Sequence, residues 1–240
     1  MSKVTVILPV YNNKNDVQKA IMSIINQTYK NWELLIINDA STDGTENILK
    51  KYSDNSNIKI INNEKNMGCY WSLNHGISIS DSPYITRIDS DDIYHRDKLS
   101  KQVQFLDNNQ NYIGMFTKCR IGNSTMPKCM ATLIMRRYIV DKIGYYDSVR
   151  FAADLEYKRR MFLYFGESKF KLSNEIMYFI KVRPISLSKN RKTGMHTIPR
   201  ELYNKNFIAW HKENTNSKEN LYMSFPLENR PFKIHPLSQV

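Results

Sequence analysis

Two aspartates one residue apart, Asp89 and Asp91, lie in the run Asp89-Ser90-Asp91-Asp92, directly after the apolar stretch 84–88. On extended backbone alternate residues share a side, so these carboxylates would present hard oxygen ligands together. Mg2+ and Mn2+ accept such ligands, taking one or two carboxylates and completing the shell with water and substrate phosphate. The same residues also suit the start of a helix, where acidic side chains cap free N–H groups and face the positive end of the macrodipole. Position separates the two readings. Polar clusters recur at successive strand ends: Tyr11-Asn12 after 4–10, Asp39 after 33–38, Asn66-Met67-Gly68 after 58–61, and the acidic run after 84–88. In an open parallel sheet, ligands bind outside the carboxyl ends of the strands, so these clusters point to one shared site.

The elements that would position them follow from pattern. VTVILPV (4–10) is a continuous apolar, β-branched run, as expected of a strand buried on both faces. Asn13 and Asn15 can cap a helix whose stripe is Val17, Ala20, Ile21, Ile24 and Ile25. Strands at 33–38, 58–61 and 84–88 alternate with helices at 45–52 and 72–79, which implies an α/β sheet with right-handed crossovers. After Asp92 the pattern turns α+β: a helix over 97–108, short strands at 112–117 and 131–135, a helix over 154–164, a strand over 175–182 and a helical tail over 200–211. The last stretch, with Pro226, Pro231 and Pro236, reads as extended.

Several classes are excluded. No Gly-x-Gly-x-x-Gly follows the first strand and no Gly-x-x-x-x-Gly-Lys-Ser/Thr occurs, so dinucleotide and P-loop phosphate cradles are missing from a chain with only eight glycines. Phosphate must then be held some other way, and a divalent cation bound by carboxylates is the obvious substitute. Phosphatases of the haloacid dehalogenase type also use Asp-x-Asp, but after the first strand and continuing into Thr or Val, whereas here the motif follows the fourth strand and continues into Asp92. The net charge of +12 would suit a polyanion, yet no basic stripe with interleaved aromatics stands out, and strand-end acids would repel nucleic acid. Three cysteines without a Cys-x-x-Cys pair fit neither a disulfide framework nor a thiolate zinc site, and imply a reducing compartment. No secretory signal and no apolar run of bilayer length is present. The expectation is a cytoplasmic protein, at most peripheral to a membrane.

ILPVYN (7–12), QTYKNWELLIINDASTDGT (27–45), Asn66-Met67-Gly68 and the DSDD run together resemble family 2 glycosyltransferases. The resemblance is dense over the first hundred or so residues and looser through Gly144-Tyr145-Tyr146-Asp147 and FAADLE (151–156); it thins beyond Arg183. It implies a GT-A fold: a mostly parallel, nucleotide-binding α/β sheet with an α+β acceptor-side half. The expected division is a GT-A domain over 1–195, with a nucleotide-sugar half to 95 and an acceptor half from 96, then a C-terminal helix and tail over 196–240.

The activity implied is inverting transfer of a hexose from a nucleoside-diphosphate sugar, UDP-linked by preference, to a hydroxyl of a glycan, lipid-linked or protein-linked acceptor. Such transfer belongs to polysaccharide biosynthesis and uses Mn2+ or Mg2+. By the same resemblance Pro9, Val10 and Tyr11 line the nucleoside pocket, Asp39 accepts a hydrogen bond from the base, and Asn66 and Gly68 shape the loop over the nucleotide. Asp89, with Ser90, lies by the ribose or diphosphate; Asp91 holds the metal; Asp92 either joins it or caps the helix. Asp154 matches the general base, with Glu156 as the alternative, although i+2 lies on another helix face.

The chain departs from many relatives in having Leu73 where Arg precedes the residue at 74, and Arg183-Pro184 where a metal-binding His often stands. Arg183 or Lys181 could then bind the diphosphate directly. Trp71, Trp210, Tyr145 and Tyr146 read as packing more readily than as sugar platforms, and His196 and His211 as structural. A homodimer is compatible with all of this. The competing reading is an inactive member that only binds nucleotide sugar or glycan, against which the retention of Asp91 and Asp154 argues.

Overall fold

The structure is a computed structural model that describes residues 3–182 and 190–240. Its first half is a parallel sheet in which β1 (Val4–Val10) lies between β2 (Trp32–Asn38) and β4 (Tyr84–Arg87), with β3 (Ile58–Asn62) outside β2. The crossovers carry α1 (Val17–Ile25), α2 (Thr45–Leu49) and α3 (Cys69–Ser78). Val4, Val6, Leu8 and Val10 of β1 enter a core shared with α1, whereas Ile7 enters a second core shared with α3. Burial on both faces is why these strands read as continuous apolar runs. Gly76 of α3 lets that helix press onto β1, since a Cβ there would meet Ile7 Cγ2 at 2.6 Å.

The second half adds β5 (Ile93–Tyr94), α4 (Lys98–Asn108), β6 (Gly114–Ile121), β7 (Ser124–Met126), β8 (Ile134–Arg136), α5 (Tyr138–Ile143), α6 (Ala153–Phe165), β9 (Phe170–Ile180) and α7 (Ile198–Glu213). The strand order is β3-β2-β1-β4-β8-β6-β9-β5, with β7 paired to β6. β4–β8, β8–β6 and β9–β5 are antiparallel, and β6–β9 is parallel. Only residues 88–92 join β4 to β5, although three strands separate them in that order. Strands lie about 4.8 Å apart, so a flat sheet would need nearly the whole extended reach of that link, yet Asp92 N donates to Asp89 O at 3.0 Å and tightens it into a turn. The sheet therefore curls, and the Tyr94 hydroxyl reaches back to donate to the Arg87 carbonyl at 2.6 Å. The curl encloses the acidic run. No described helix is long and apolar enough to cross a membrane.

Some expectations change. The residue capping α1 is Asp16, without a side-chain cap bond, rather than Asn13 or Asn15, and Asn13 Nδ2 donates to Ser90 Oγ. The stretch 131–135 is a single 3-10 turn, Met130–Thr132, followed by the short β8. The last strand begins earlier, at Phe170, and α7 is longer at both ends. The elements α5, β5 and β7 have too few residues to show a period of their own.

The helices α6 and α7 are joined by buried charge. Arg160 donates to both carboxylate oxygens of Glu156, at 2.7 and 2.9 Å, and His211 Nε2 lies 3.1 Å from Glu156 Oε1; all three side chains are fully buried. The guanidinium also donates to the carbonyls of Ile143 and Tyr145. This network fixes the segment that precedes α6. Arg160→Met leaves the Glu156 charge without its main partner, and the expected loss is about 3–5 kcal/mol in urea unfolding; a loss under about 1 kcal/mol would mean the pair is not what holds α6 to α7.

Candidate active site

The strand-end loops of the first half are stitched together by their own polar side chains. Asn12, at φ +47°, accepts from Thr42 N at 2.7 Å through Oδ1, while its own N–H donates to Ser41 Oγ at 3.0 Å. Asn13 N donates to Thr45 Oγ1 at 2.9 Å, and Asn13 Nδ2 donates to Ser90 Oγ at 2.8 Å. Ser90 is thereby tied to the end of β1. Pro9 and Val10 are buried within β1; of the three residues predicted at the nucleoside pocket, Tyr11 is the one that reaches solvent, at 49% exposure.

Asp39 is buried and largely engaged. Its Oδ1 accepts from Met67 N and from Asn63 Nδ2, both at 2.8 Å, and its Oδ2 accepts from Gly68 N at 2.8 Å. Gly68, at φ +82°, opens α3 in a conformation that a side chain would strain. Asp39 thus shapes the loop at 66–68 as well as facing it, and Oδ2 keeps acceptor capacity for a ligand. Asn66 sits between the halves: its Nδ2 donates to the Asp39 carbonyl at 3.5 Å, and its Oδ1 accepts from Arg150 Nη1 at 2.9 Å.

The acidic run carries more negative charge than its surroundings offset. Desolvation pushes the Asp89 carboxyl above its ordinary range, with Asp154 and Asp91 adding to the shift against the pull of Arg87. Asp92, buried, is pushed up to about 8 by desolvation and by Asp89, even though its Oδ1 accepts from Lys181 N at 2.9 Å. A bound divalent cation would reverse that logic by favouring the ionised forms. Among the described residues no group of three His, Cys, Asp or Glu ligands is assembled. A Mg2+-type ion needs fewer protein ligands; Asp89 and Asp91 do not lie on the extended backbone the sequence suggested, since residues 90–91 form a turn, but Asp91 is near enough to raise the Asp89 carboxyl. Lys181 is not aimed at this cluster, since its ammonium pairs with Asp16 Oδ1 at 2.5 Å. Arg183 lies outside the described residues.

The other half contributes Asp154, in the first turn of α6. Its Oδ2 accepts from Arg87 Nη2 at 2.8 Å, and its Oδ1 is buried without a hydrogen-bond partner among the described residues. Arg87 is buried at the end of β4 and lies 5.8 Å from the ring centres of both Tyr70 and Tyr146; its Nε and Nη1 also lack partners. A cationic fork and a carboxylate with one open oxygen therefore face each other where the two halves of the sheet meet. Glu156, the alternative base, is removed from that role by its buried bonds to Arg160 and His211.

Sequence reasoning missed Arg87. Its signal was a lone cation at the end of an apolar strand, two residues before Asp89 and so on the same side of the extended chain. Asn74 was noted only beside Leu73; it is fully buried, exchanging bonds with the Tyr146 backbone at 2.8 and 3.0 Å and so holding that ring against Arg87. Leu73 is core. The aromatics behave as packing: Tyr146 stacks on Tyr157 at 4.0 Å, Trp71 and Tyr145 both meet Phe225, and Trp210 meets Phe232.

Comparison with known proteins bears on the family and the fold. The family model described as glycosyl transferase family 2 matches residues 5–183. EpsE of Bacillus subtilis, which carries the provisional name of a glycosyltransferase, is 34% identical over 218 residues, covering 82% of this chain and 78% of EpsE. TuaG of the same bacterium, provisionally named a teichuronic acid biosynthesis glycosyltransferase, is 35% identical over 104 residues, 43% of this chain and 41% of TuaG. Among solved structures, S. aureus TarS 1-349 in complex with UDP-GlcNAc superposes with a TM-score of 0.68 at 21% identity, over 77% of this chain and 60% of that one. A mannosyltransferase from Pyrobaculum calidifontis, in complex with GDP-Man and Mn2+, gives 0.62 at 16% identity, over 76% and 57%. This chain spans about three fifths of those structures, which share its GT-A fold. With the family's model matching residues 5–183 and EpsE 34% identical over 82% of the chain, the chain belongs to glycosyl transferase family 2.

Proposed function

We propose that the protein transfers a sugar, with inversion, from a nucleoside-diphosphate sugar to an acceptor hydroxyl, with Asp154 as general base. The observation that carries this reading is the half-satisfied Asp154 carboxylate: Oδ2 is fixed by Arg87, and Oδ1, enclosed in the structure, has no partner among the described residues. A base needs one oxygen oriented and the other within reach of the proton it takes. The acceptor O–H gives its proton to Oδ1 as its oxygen bonds to the anomeric carbon, and the bond from that carbon to the diphosphate breaks with its electrons leaving on the nucleotide. Attack on the face opposite the leaving group inverts the centre.

The donor side is read from the strand ends. Tyr11 and Oδ2 of Asp39 are the groups open to a nucleoside, and the 66–68 loop covers it. A uracil ring, with an N–H able to donate to Asp39, suits this better than a base lacking such a donor, and the UDP bound by TarS supports the same preference. Asp91, with Asp89 beside it, would hold Mn2+ or Mg2+, whose chemistry is to neutralise charge on the departing diphosphate. Asp92 is read as a structural residue of the turn, through its bond to Lys181 N.

The test is a thermal-shift and donor-hydrolysis panel of UDP-, GDP- and TDP-sugars with and without Mn2+. Metal-dependent stabilisation by a UDP-sugar of several degrees is expected, as about 100 Kd of ligand adds about 2.7 kcal/mol. No shift with any donor would sink the donor reading. Asp154→Asn should lower turnover by about 10²- to 10⁴-fold with donor affinity nearly unchanged, and a variant with most of its turnover would overturn the assignment. Arg87→Gln frees Oδ2, and kcat should fall by about 10- to 100-fold while donor KM stays near its original value; an equal loss in donor binding alone would place Arg87 on the diphosphate instead.

A further inference from the structure

Two of the three cysteines are brought together by one hairpin. β6 and β7 are joined through Gly122-Asn123, with Gly122 at φ +55°, and pair so that Met126 lies opposite Cys119. Pro127, with no N–H to give, follows the last paired residue. Lys128 then turns the chain at φ +53°, in the left-handed region that a Cβ disfavours. Cys129 comes next and lies against Cys119, and the two thiols are hydrogen-bonded to each other. Cys119 is fully buried in the core and also donates to the Met126 carbonyl at 3.4 Å, whereas Cys129 packs on the same core cluster but stays partly exposed.

That contact changes what the thiols can do. The hydrogen bond with Cys129 lowers the Cys119 thiol to about 7 against the effect of burial, whereas the same bond, burial and the charge of Asp154 raise Cys129 well above its ordinary value. Near neutral pH the two sulfurs therefore share one proton, and the charge belongs to the pair. Cys69 is the contrast, because burial and the charge of Asp89 push it up to about 12 and keep it a thiol. The segment around Cys129 also reaches the candidate site. The Lys128 carbonyl accepts from Lys158 Nζ of α6 at 3.5 Å, and Met130 lines one small cavity with Arg87 and Tyr146. The Cys129 carbonyl closes the turn between them, accepting from Thr132 N at 3.0 Å and Thr132 Oγ1 at 2.8 Å.

We propose that Cys119 and Cys129 form a redox-sensitive dithiol, closed to a disulfide by low-molecular-weight disulfides and opened by low-molecular-weight thiols, and that closure switches the enzyme off. Cys129, the partly exposed sulfur, attacks as the thiolate while Cys119 keeps the shared proton. It bonds to one sulfur of the reagent, and the other sulfur leaves as a thiolate that takes a proton from water. Cys119 then gives its proton to solvent and attacks the Cys129 sulfur, expelling the second thiolate. Two electrons pass from the pair to the reagent, two protons follow, and two reagent thiols are released. In a reducing compartment the pair rests as the dithiol, and a disulfide there is a transient signal. The covalent bond draws Cys129 closer to β6 than the hydrogen bond does, which shifts the turn at 128–132 against Arg87 and α6. The effect on turnover rests on Asp154 being the base, whereas the dithiol site does not.

Excess oxidised glutathione tests this on the full chain. The mass should fall by two hydrogens, and a digest should yield the peptides of Cys119 and Cys129 joined, with Cys69 free. Turnover of a UDP-sugar in the donor-hydrolysis assay should fall about tenfold or more and return with dithiothreitol. Cys129→Ser, a change at a partly exposed position, should hydrolyse the donor as the parent does and should not respond to oxidised glutathione. Cys119→Ala should stop at a glutathione adduct on Cys129. The dithiol is overturned if the parent yields no joined peptides, carries only glutathione adducts, or links to a second copy in non-reducing electrophoresis. Joined peptides with unchanged turnover overturn the switch. A parent without any donor turnover would fall on the proposed function alone, because hydrogen exchange reads the switch without activity. Exchange of the amides at 130–133 should change about threefold or more on oxidation, and identical exchange overturns the switch.

Discussion

The contact between Arg87 and Asp154 is the constraint on which the two halves of this protein depend. Arg87 ends β4 in the first half of the chain, and Asp154 lies in the first turn of α6 in the second half, so one 2.8 Å ion pair joins the two. A guanidinium is costly to bury, and burial here is offset by Asp154 and Asp89, which together hold Arg87 well above its ordinary range. The faces of Tyr70 and Tyr146 supply further electrostatic attraction. Those rings are themselves positioned: Tyr70 by α3, and Tyr146 by Asn74 from the same helix. The 66–68 loop, the helix α3 that follows it and Asp154 are therefore parts of one packed unit.

That unit carries an unresolved polar cost. Arg87 Nε and Nη1 and Asp154 Oδ1 are buried and unpartnered among the described residues, and a buried unpaired group costs about 1–3 kcal/mol. Nearby, Asp89 and Asp92 are both raised by desolvation and mutual repulsion. A fold optimised for stability alone would replace these groups with apolar ones of similar volume. Glu156 shows the contrast: it is more deeply buried than Asp154, yet both oxygens are satisfied by Arg160 and His211. Two acids in one turn of α6 thus have opposite environments, Glu156 with both oxygens satisfied and Asp154 with Oδ1 unpartnered among the described residues.

The sheet and its strand-end clusters were legible in the sequence because burial on both faces writes itself as apolar runs, and because loops at the carboxyl ends carry the polar residues. The second half was less legible for physical reasons. A two-residue strand such as β5 has no period, and its partner β9 is more than seventy residues away. Arg87 was hidden by its strand, since a cation amid apolar neighbours gives no motif until Tyr70 and Tyr146 are brought to it. The cap expected from Asn13 and Asn15 is displaced by one position to Asp16, and Asn13 Nδ2 makes instead a tertiary contact to Ser90 that no local rule predicts. Glu156 and Asp154 were separable by helix geometry, but only the packing of α7 gave Glu156 its His211.

The C-terminal segment bears on the donor loop through a single residue. Arg150 donates from Nη1 to Asn66 Oδ1 and from Nε to the Gln239 carbonyl, both at 2.9 Å, and its N–H donates to the Ser238 carbonyl at 3.1 Å. A Cβ on Gly68 would lie 3.7 Å from Val240 Cγ2. The loop that Asp39 holds from beneath is thus braced from the side by Arg150 and the tail. Asn66 is the joint: it bonds to Asp39 on one side and to Arg150 on the other, so any displacement of the loop on ligand entry must change both contacts.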